Sequence, residues 1–242
     1  MSCSYIYVLD NVAPRSARVI TVWNCFNMDR IKILCSYLEP CKVFADVACD
    51  HGYCAEYMLE SGLCESAIIS DISAQCLKKA ETLLSDYIKS GKCRSVCCDG
   101  LKEIDGADEV LISGIGGEEI IKILKEGYIP ERFVFQPMKN SEALRAYLLE
   151  NVCKIESDDI FKVGKNYYFI IRGRASGGTQ GYTATELKYG KDSLKNPVLV
   201  EYLNGEIEKN FGYLAREMTE ENRKSIEKKI SFMRGVINGE IT

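Results

Sequence analysis

From Asp29 to about Ala175 the chain alternates short apolar runs with longer amphipathic stretches. The runs at 42–48 (KVFADVA), 66–72 (SAIISDI), 93–99 (CRSVCCD), 108–116 (DEVLISGIG) and 132–137 (RFVFQP) are rich in β-branched or aromatic residues and predict buried strands. Helical spacing fills 53–60, 74–89, 118–125 and 141–150 between them. Strand and helix in alternation predict parallel βαβ units with right-handed crossovers. Two further runs, 153–163 and 166–175, are separated only by Gly164 and Lys165, a gap too short for a crossover helix, so they predict an antiparallel hairpin. The expected fold is α/β, a doubly wound sheet, mostly parallel, with an antiparallel end hairpin.

After this the pattern changes. The stretch ASGGTQG at 175–181 is small, polar and glycine-rich, and predicts a linker. Asn196 and Pro197 form an N-cap followed by proline at the first helical position, and Leu199, Leu203, Ile207, Leu214 and Met218 follow at helical spacing. A polar break at 219–222 precedes a second stripe of Ile226, Ile230, Met233 and Ile237. Two amphipathic helices of this length predict an antiparallel helical hairpin resembling a coiled coil. The expected division is a main domain over 28–178 and a helical domain over 179–242. Lysines and glutamates are mixed in that tail, so charge does not decide between packing on a neighbour and gripping RNA. The segment 1–27 carries Asp10, Arg15 and Arg18 where a secretory signal would be apolar, and Met28 opens the first well-patterned stretch. It is expected to be an extension ahead of the natural start.

Composition narrows the class. With 242 residues, 46% hydrophobic and 27% charged, the chain can bury its own core, and no eighteen apolar residues run together, so no membrane partner is expected. A net charge of -4 argues against wholesale coating of nucleic acid but leaves room for a local basic face. The 12 cysteines include Cys35, Cys49, Cys76, Cys97 and Cys98 within apolar stretches and form no C-x-x-C pair, so they read as reduced core thiols of a cytoplasmic protein. With a single histidine in the chain, no metal is expected.

The candidate chemistry lies in the turn after the first predicted strand, DVACDHG, from Asp46 to Gly52. In doubly wound folds a ligand sits outside the carboxyl ends of the strands, near the point where strand order reverses. A dinucleotide pyrophosphate needs G-x-G-x-x-G for close backbone approach, which argues against a nicotinamide dehydrogenase here. This turn instead has Ala48, Cys49 and Gly52, with carboxylates at Asp46 and Asp50. Carboxylates suit a ligand with an ammonium or sulfonium centre and hydroxyls, and S-adenosylmethionine has all of these. The second strand ends at Asp71 and Ile72, where a carboxylate can accept both ribose hydroxyls, 21 residues beyond Asp50. The third ends at Asp99 and Gly100, where the acid can accept the adenine amine. Each acid alone also fits a helix cap or turn former, the weaker of its two readings; three at successive strand ends make a pocket. His51, beside Gly52, is expected to hold position by hydrogen bonding rather than to act as a base.

The fourth strand ends in SGIGG, Ser113 to Gly117, where Gly114, Ile115 and Gly116 can lie flat against a planar ring. Gln136 and Pro137 end the fifth, offering an amide and a shaped wall to a base edge. Lys139, Arg145, Lys162, Lys165, Arg172 and Arg174 bracket the fifth to seventh strands, with Tyr167 and Tyr168 among them. Basic and aromatic residues interleaved in this way can contact phosphates and stack on bases, though an ordinary solvated rim with core tyrosines has the same composition.

Taken in order, ADVACDHGY (45–53), ISDI (69–72), CCDGL (97–101), ISGIGG (112–117), FQP (135–137) and VGKNYYFII (163–171) resemble the bacterial tRNA (adenine-22-N1)-methyltransferase family, TrmK, over about 28–240. The resemblance implies a class I, Rossmann-like methyltransferase fold, S-adenosylmethionine as cofactor, tRNA as partner and a C-terminal helical domain used with tRNA. The chain departs from the family pattern at Ala48, where glycine is usual, at Ala55, where proline is common, and at Ile115, where methionine is usual. The reaction implied is methylation of N1 of adenine 22. The chain itself is expected to be a monomer or weak homodimer. Gly114, Ile115, Gly116, Gln136 and Pro137 would hold the target base. A non-catalytic RNA-binding protein on the same fold, and a methyltransferase with a small-molecule or protein acceptor, are the rival readings.

Overall fold

The computed structural model describes residues 22–241, so the expectation for 1–27 falls largely outside the described residues. Helix α1 (Val22–Cys35) leads into β1 (Cys41–Val47), α2 (Tyr53–Glu60), β2 (Cys64–Asp71), α3 (Ala74–Leu83), α4 (Ser85–Lys89) and β3 (Cys93–Cys97). Then come β4 (Glu109–Ser113), α5 (Gly117–Glu126), β5 (Arg132–Gln136), α6 (Ser141–Glu150), β6 (Lys154–Val163) and β7 (Asn166–Arg174). The strands form one seven-stranded sheet in the order β3-β2-β1-β4-β5-β7-β6. The first five in sequence run parallel, and β7 is antiparallel to both β5 and β6. The strand order reverses between β1 and β4, and the carboxyl ends of the strands open a crevice there.

Both faces of the sheet are covered, which is why its strands read as near-continuous apolar runs. Phe44, Ile69, Leu111 and Val134 pack on Leu34 of α1, Met58 of α2 and Leu77 of α3. Their neighbours Ala45, Ile68, Val110 and Phe133 point the other way, onto Ile120 and Leu124 of α5 and Leu144 and Leu148 of α6.

The predicted helix at 74–89 is two helices. Leu84 separates them at φ -93°, ψ 16°, fully buried. Just ahead of the break, the Thr82 hydroxyl donates to Lys78 O at 2.8 Å, a back-bond that loosens the ladder. The ten described cysteines are free; Cys35, Cys49 and Cys98 are core thiols as expected, whereas Cys76 is half-buried and Cys97 lies at the surface. Cys97 follows Val96 on the outermost strand β3, where one face of the alternation meets solvent.

Beyond the sheet, α7 (Ala184–Tyr189) begins with a capping box between Thr183 and Glu186. It is too short for periodicity to announce it. A 3-10 turn (Ser193–Lys195) follows, then α8 (Pro197–Leu214) and α9 (Glu220–Ile237). Asn196 caps α8 by accepting from Val198 N at 3.0 Å, with Pro197 in the first turn. Leu199, Leu203, Ile207, Ile230 and Met233 close the helical hairpin and also bury Ile160 of β6 and Tyr189 of α7. The tail therefore has an apolar seat on the sheet's end strand.

The connection at 175–183 has no helix or strand but is tethered. The Gln180 amide accepts from Ile155 N at 2.7 Å and donates to Ile155 O at 3.0 Å, beside an irregularity in β6. Further along the same edge, Asp192 Oδ2 accepts from Asp158 N at 2.8 Å, and Asn196 Nδ2 donates to Ile160 O at 2.8 Å.

Candidate active site at the strand ends

The turn after β1 is built on two left-handed residues, Ala48 at φ 59° and Gly52 at φ 76°. Gly52 also starts α2, and a Cβ there would stand 3.0 Å from Leu84 Cδ1 and 3.1 Å from Ala80 Cβ. The space between α2 and α3 thus requires glycine at 52. Between these two positions, Cys49 N donates to Ser70 O at 2.9 Å and ties the turn to β2.

Asp46 ends its strand 6% exposed. Burial, offset in part by hydrogen bonds from Ala55 N and the Cys49 thiol, raises its carboxyl to about 7, and the Asp71 charge adds to the rise. Asp50 is in a different state. Partial burial works against its charge, but the Lys79 ammonium at 2.7 Å, the Cys76 thiol and His51 outweigh it and hold the carboxyl below its usual range. His51 Nδ1 sits 2.7 Å from Asp50 Oδ2 while its ring stacks on Tyr53 at 5.4 Å, an arrangement suited to fixing the turn.

The second and third acids are each tied down through one oxygen. Asp71 Oδ1 accepts from Ser73 N at 2.7 Å, and Ser73 in turn caps α3. Asp99 is bridged by Lys102 at 2.8 Å, and Lys102 reaches Glu126 of α5 at 2.7 Å. That ammonium keeps the Asp99 carboxyl below its usual range.

These strand ends enclose a cavity of about 640 Å³, lined by Asp46, Ala48, Cys49, Asp50, His51, Gly52, Asp71, Ile72, Asp99, Gly100, Ser113, Gly114 and Ile115. Every residue expected at the cofactor is on this wall. Ile72, 71% exposed, projects an aliphatic surface beside Asp71, the neighbourhood a flat heterocycle requires. Gly100, at φ 66°, leaves room that a Cβ would take from Ile123, 2.8 Å away. Val47, Tyr53, Cys54 and Cys98 also line it, and Arg30 and Ile31 of α1 with Glu119, Lys122 and Ile123 of α5 complete the wall. Sequence reasoning passed over these five. The spacing of 119, 122 and 123 puts one face of α5 over the strand ends, a signal available once α5 is set after β4.

Two loops are zipped together at the cavity's far side. Gly114 N donates to Gln136 O at 3.3 Å, Met138 N to Ile115 O at 2.8 Å and Gly117 N to Lys139 O at 2.8 Å. A Cβ at Gly117 would overlap the Asn140 carbonyl, so the contact needs glycine. The glycines expected to lie against a ring also hold this second loop in register. Gly116 caps α5 without lining the cavity. Gln136 is wholly buried; its Nε2 donates to Pro137 O at 3.2 Å, and its Oε1 has no partner. Pro137 lines a second, smaller groove on the far side of the loop.

The expected basic rim is only partly present. Lys139, Lys162, Lys165 and Tyr167 lie at the carboxyl end of β5, where β7 begins opposite the end of β6. Arg145 does not belong to the surface at all: it is fully buried against Asp158. Arg172 and Arg174 lie toward the opposite end of the sheet, where Arg174 pairs with Arg132 at the start of β5. There they are bound by Glu39 and Glu156, at 2.8 Å from Arg172 to Glu39 and 3.0 Å from Arg174 to Glu156. All three arginines are held in ion pairs within the fold, with partners on other elements that a linear pattern does not reveal.

Among the described residues no group of three or more His, Cys, Asp or Glu could hold a metal, and no helix is long and apolar enough to cross a membrane. A doubly wound sheet with a reversed end hairpin, acids at the ends of β1, β2 and β3 and no pyrophosphate-type glycine turn defines the Rossmann-like methyltransferase class. A methyltransferase domain model matches residues 27–171, and the chain belongs to that family. A provisionally named tRNA methyltransferase of Mycoplasma pneumoniae is 30% identical over 176 residues, 70% of this chain and 82% of the relative. Sp1610 of Streptococcus pneumoniae, provisionally named a tRNA (m1A22) methyltransferase and solved with S-adenosyl-L-methionine, is 25% identical at a TM-score of 0.76, over 86% of this chain and 98% of its own. TrmK of Mycoplasma capricolum, solved with S-adenosyl-homocysteine, shares the fold at a TM-score of 0.78 with 21% identity, over 86% and 96% of the two chains.

Proposed function

We propose that the protein transfers the methyl group of S-adenosylmethionine to N1 of adenine 22 in tRNA. The observation that carries this reading is the 640 Å³ cavity with Asp46, Asp71 and Asp99 at three successive strand ends. Asp71 keeps one oxygen for Ser73 N and has the other for ribose hydroxyls, Ile72 covers an adenine face, and Asp46 faces the amino-acid end. Asp50 fixes the turn through Lys79 and His51. When bound, the cofactor supplies an electrophilic methyl on sulfur.

The acceptor needs little beyond placement. Adenine N1 has a free lone pair and no proton to lose, so a carbon–nitrogen bond forms as the carbon–sulfur bond breaks, without a general base. The base must leave its stack to expose that edge. Gly114 and Ile115 line the cavity beside Ser113 and can bound the ring. The unpartnered Gln136 Oε1 is an acceptor suited to the adenine exocyclic amine, reached if the Pro137–Met138 segment shifts. Residues 28–178 form the methyltransferase unit and 179–242 the helical unit in this reading, working in the cytoplasm as a monomer or weak homodimer.

The test incubates the full chain with S-adenosylmethionine and two unmodified tRNA transcripts that differ only in adenine or guanine at position 22, followed by nucleoside mass spectrometry. 1-Methyladenosine in the adenine transcript alone is the expected result. Binding of tRNA with no methylation of either transcript would instead establish a non-catalytic RNA-binding protein.

A further inference from the structure

A second groove, of about 360 Å³, lies against the outer side of the Pro137–Asn140 segment. The inner side of that segment is hydrogen-bonded to Ile115 and Gly117, so the groove and the active-site loop share one wall a single strand of chain thick. Its opposite wall comes from the end of the sheet and the C-terminal helices, through Tyr167, Lys188 and Tyr202. From this geometry we infer that the groove is a subsite for one unstacked nucleotide of the RNA strand that carries the target base. This rests on the reading of the protein as a tRNA methyltransferase.

The chemistry of the walls selects a nucleotide. Tyr167 and Tyr202 meet edge to face at 5.4 Å, each half-buried, and Phe169 closes the corner against Tyr202 at 5.8 Å. Met138 is 51% exposed across from them, a thioether that can lie on the other face of a flat ring. Lys188 rests over the rings of Tyr189 at 5.6 Å and Phe232 at 4.7 Å rather than on a carboxylate, which leaves its ammonium able to take a phosphate. Lys139 is only loosely engaged, 3.6 Å from Glu119.

Asn140 supplies the polar edge. It stands at the start of α6 in a left-handed conformation, φ 56°, yet its side chain makes no capping bond and is exposed. Glu142 is the one carboxylate on the wall, so the groove carries two lysines against one acid. That balance favours a single phosphate over a cationic ligand. An aromatic wall, a polar edge and a cation set one segment away from the target loop fit a base displaced together with the target, since taking one base from a stack frees its neighbour.

The test compares wild type with Lys188→Ala and Tyr202→Leu in filter binding of an unmodified tRNA transcript across a salt series. Cofactor affinity by calorimetry and thermal midpoints serve as controls. Tyr202→Leu is expected to weaken tRNA binding about tenfold, the scale of one lost base stack. Lys188→Ala is expected to reduce the salt slope by about one phosphate contact. Cofactor affinity should not move in either variant. Because Tyr202 also packs within the helical domain, Tyr202→Phe should restore binding to near wild type, which a repair of folding alone would show as a shift in midpoint. If wild type methylates tRNA and all three variants bind it with unchanged affinity and slope, the subsite is wrong and the enzyme reading stands. Failure of wild type to bind tRNA at all would overturn both.

Discussion

Arg145 Nε donates to both carboxylate oxygens of Asp158, at 2.8 and 2.9 Å, with the two side chains 0% and 1% exposed. The same guanidinium donates through Nη1 to Ser141 Oγ at 3.1 Å and to the carbonyls of Leu187 and Lys188 at 3.0 and 3.2 Å. One buried cation thereby joins α6, β6 and α7.

Removing one member of such a pair leaves an uncompensated buried charge, which costs about 3 to 5 kcal/mol. Arg145→Ala is therefore expected to lower the denaturant midpoint sharply. Arg145→Met combined with Asp158→Leu should cost far less, because neither charge is then stranded. An Arg145→Ala protein of unchanged stability but weakened tRNA binding would return this residue to the RNA surface.

Asp46 gives the protein a pH signature. Its carboxyl is raised by burial to about 7, against about 3.9 in an unfolded chain. The neutral acid contributes stability that is complete below the unfolded value and is lost as pH rises through about 7. Glu56 and Glu109, also raised to about 7 by burial, act in the same direction. Thermal midpoints of the cofactor-free protein should fall between about pH 4 and 7 and level off above, and Asp46→Asn should flatten that fall by the share of one proton. Cofactor affinity should rise over the same interval in wild type, as the carboxylate forms opposite a cationic ligand. A parallel slope in Asp46→Asn would assign the titration to the two glutamates.

Ala48 holds a left-handed backbone on the cavity wall. That conformation costs a residue with a Cβ about 1 to 2 kcal/mol, while glycine gives back about 0.4 to 1 kcal/mol through the greater freedom of the unfolded chain. Ala48→Gly should therefore stabilise the fold by up to about 1.5 kcal/mol and tighten S-adenosylmethionine binding by removing a methyl from the wall. Weaker binding by calorimetry would show that the methyl makes a useful contact.

For Asp71, substitution by asparagine keeps Oδ1 as acceptor for Ser73 N and so preserves the cap of α3. What it loses is the second charged acceptor. Cofactor affinity is expected to drop about tenfold, the worth of one charge-assisted hydrogen bond, with no change in melting temperature. A fall in melting temperature without loss of affinity would make Asp71 a turn former alone.

The sheet and the lining of the strand-end cavity were legible because both depend on local order: apolar runs of strand length, and acids placed where each run ends. Asp46, Asp71 and Asp99 needed no knowledge of what lies across the molecule. The arginines did. Arg172 and Glu39 are 133 residues apart in sequence and 2.8 Å apart in space, so a composition of alternating basic and aromatic residues read as an RNA-facing rim when part of it was the sheet's internal electrostatics. Gln136 was legible as a residue at a strand end but not in its orientation, which depends on Pro137 and Met138 folding over it. Helix α7 escaped because six residues hold too few turns for a period to appear.

The ten-residue strand β6 forms one edge of the sheet. Bare edges of that length invite another chain to add a strand. Here Gln180, Asp192 and Asn196 occupy backbone groups of Ile155, Asp158 and Ile160 with side-chain amides and a carboxylate. Side chains from the 175–183 connection and from the caps of the 3-10 turn and α8 thus stand in for the neighbour that β6 lacks. This edge is closed to growth by self-templating at those three residues, and Gln180→Ala would reopen it where the ladder is already irregular.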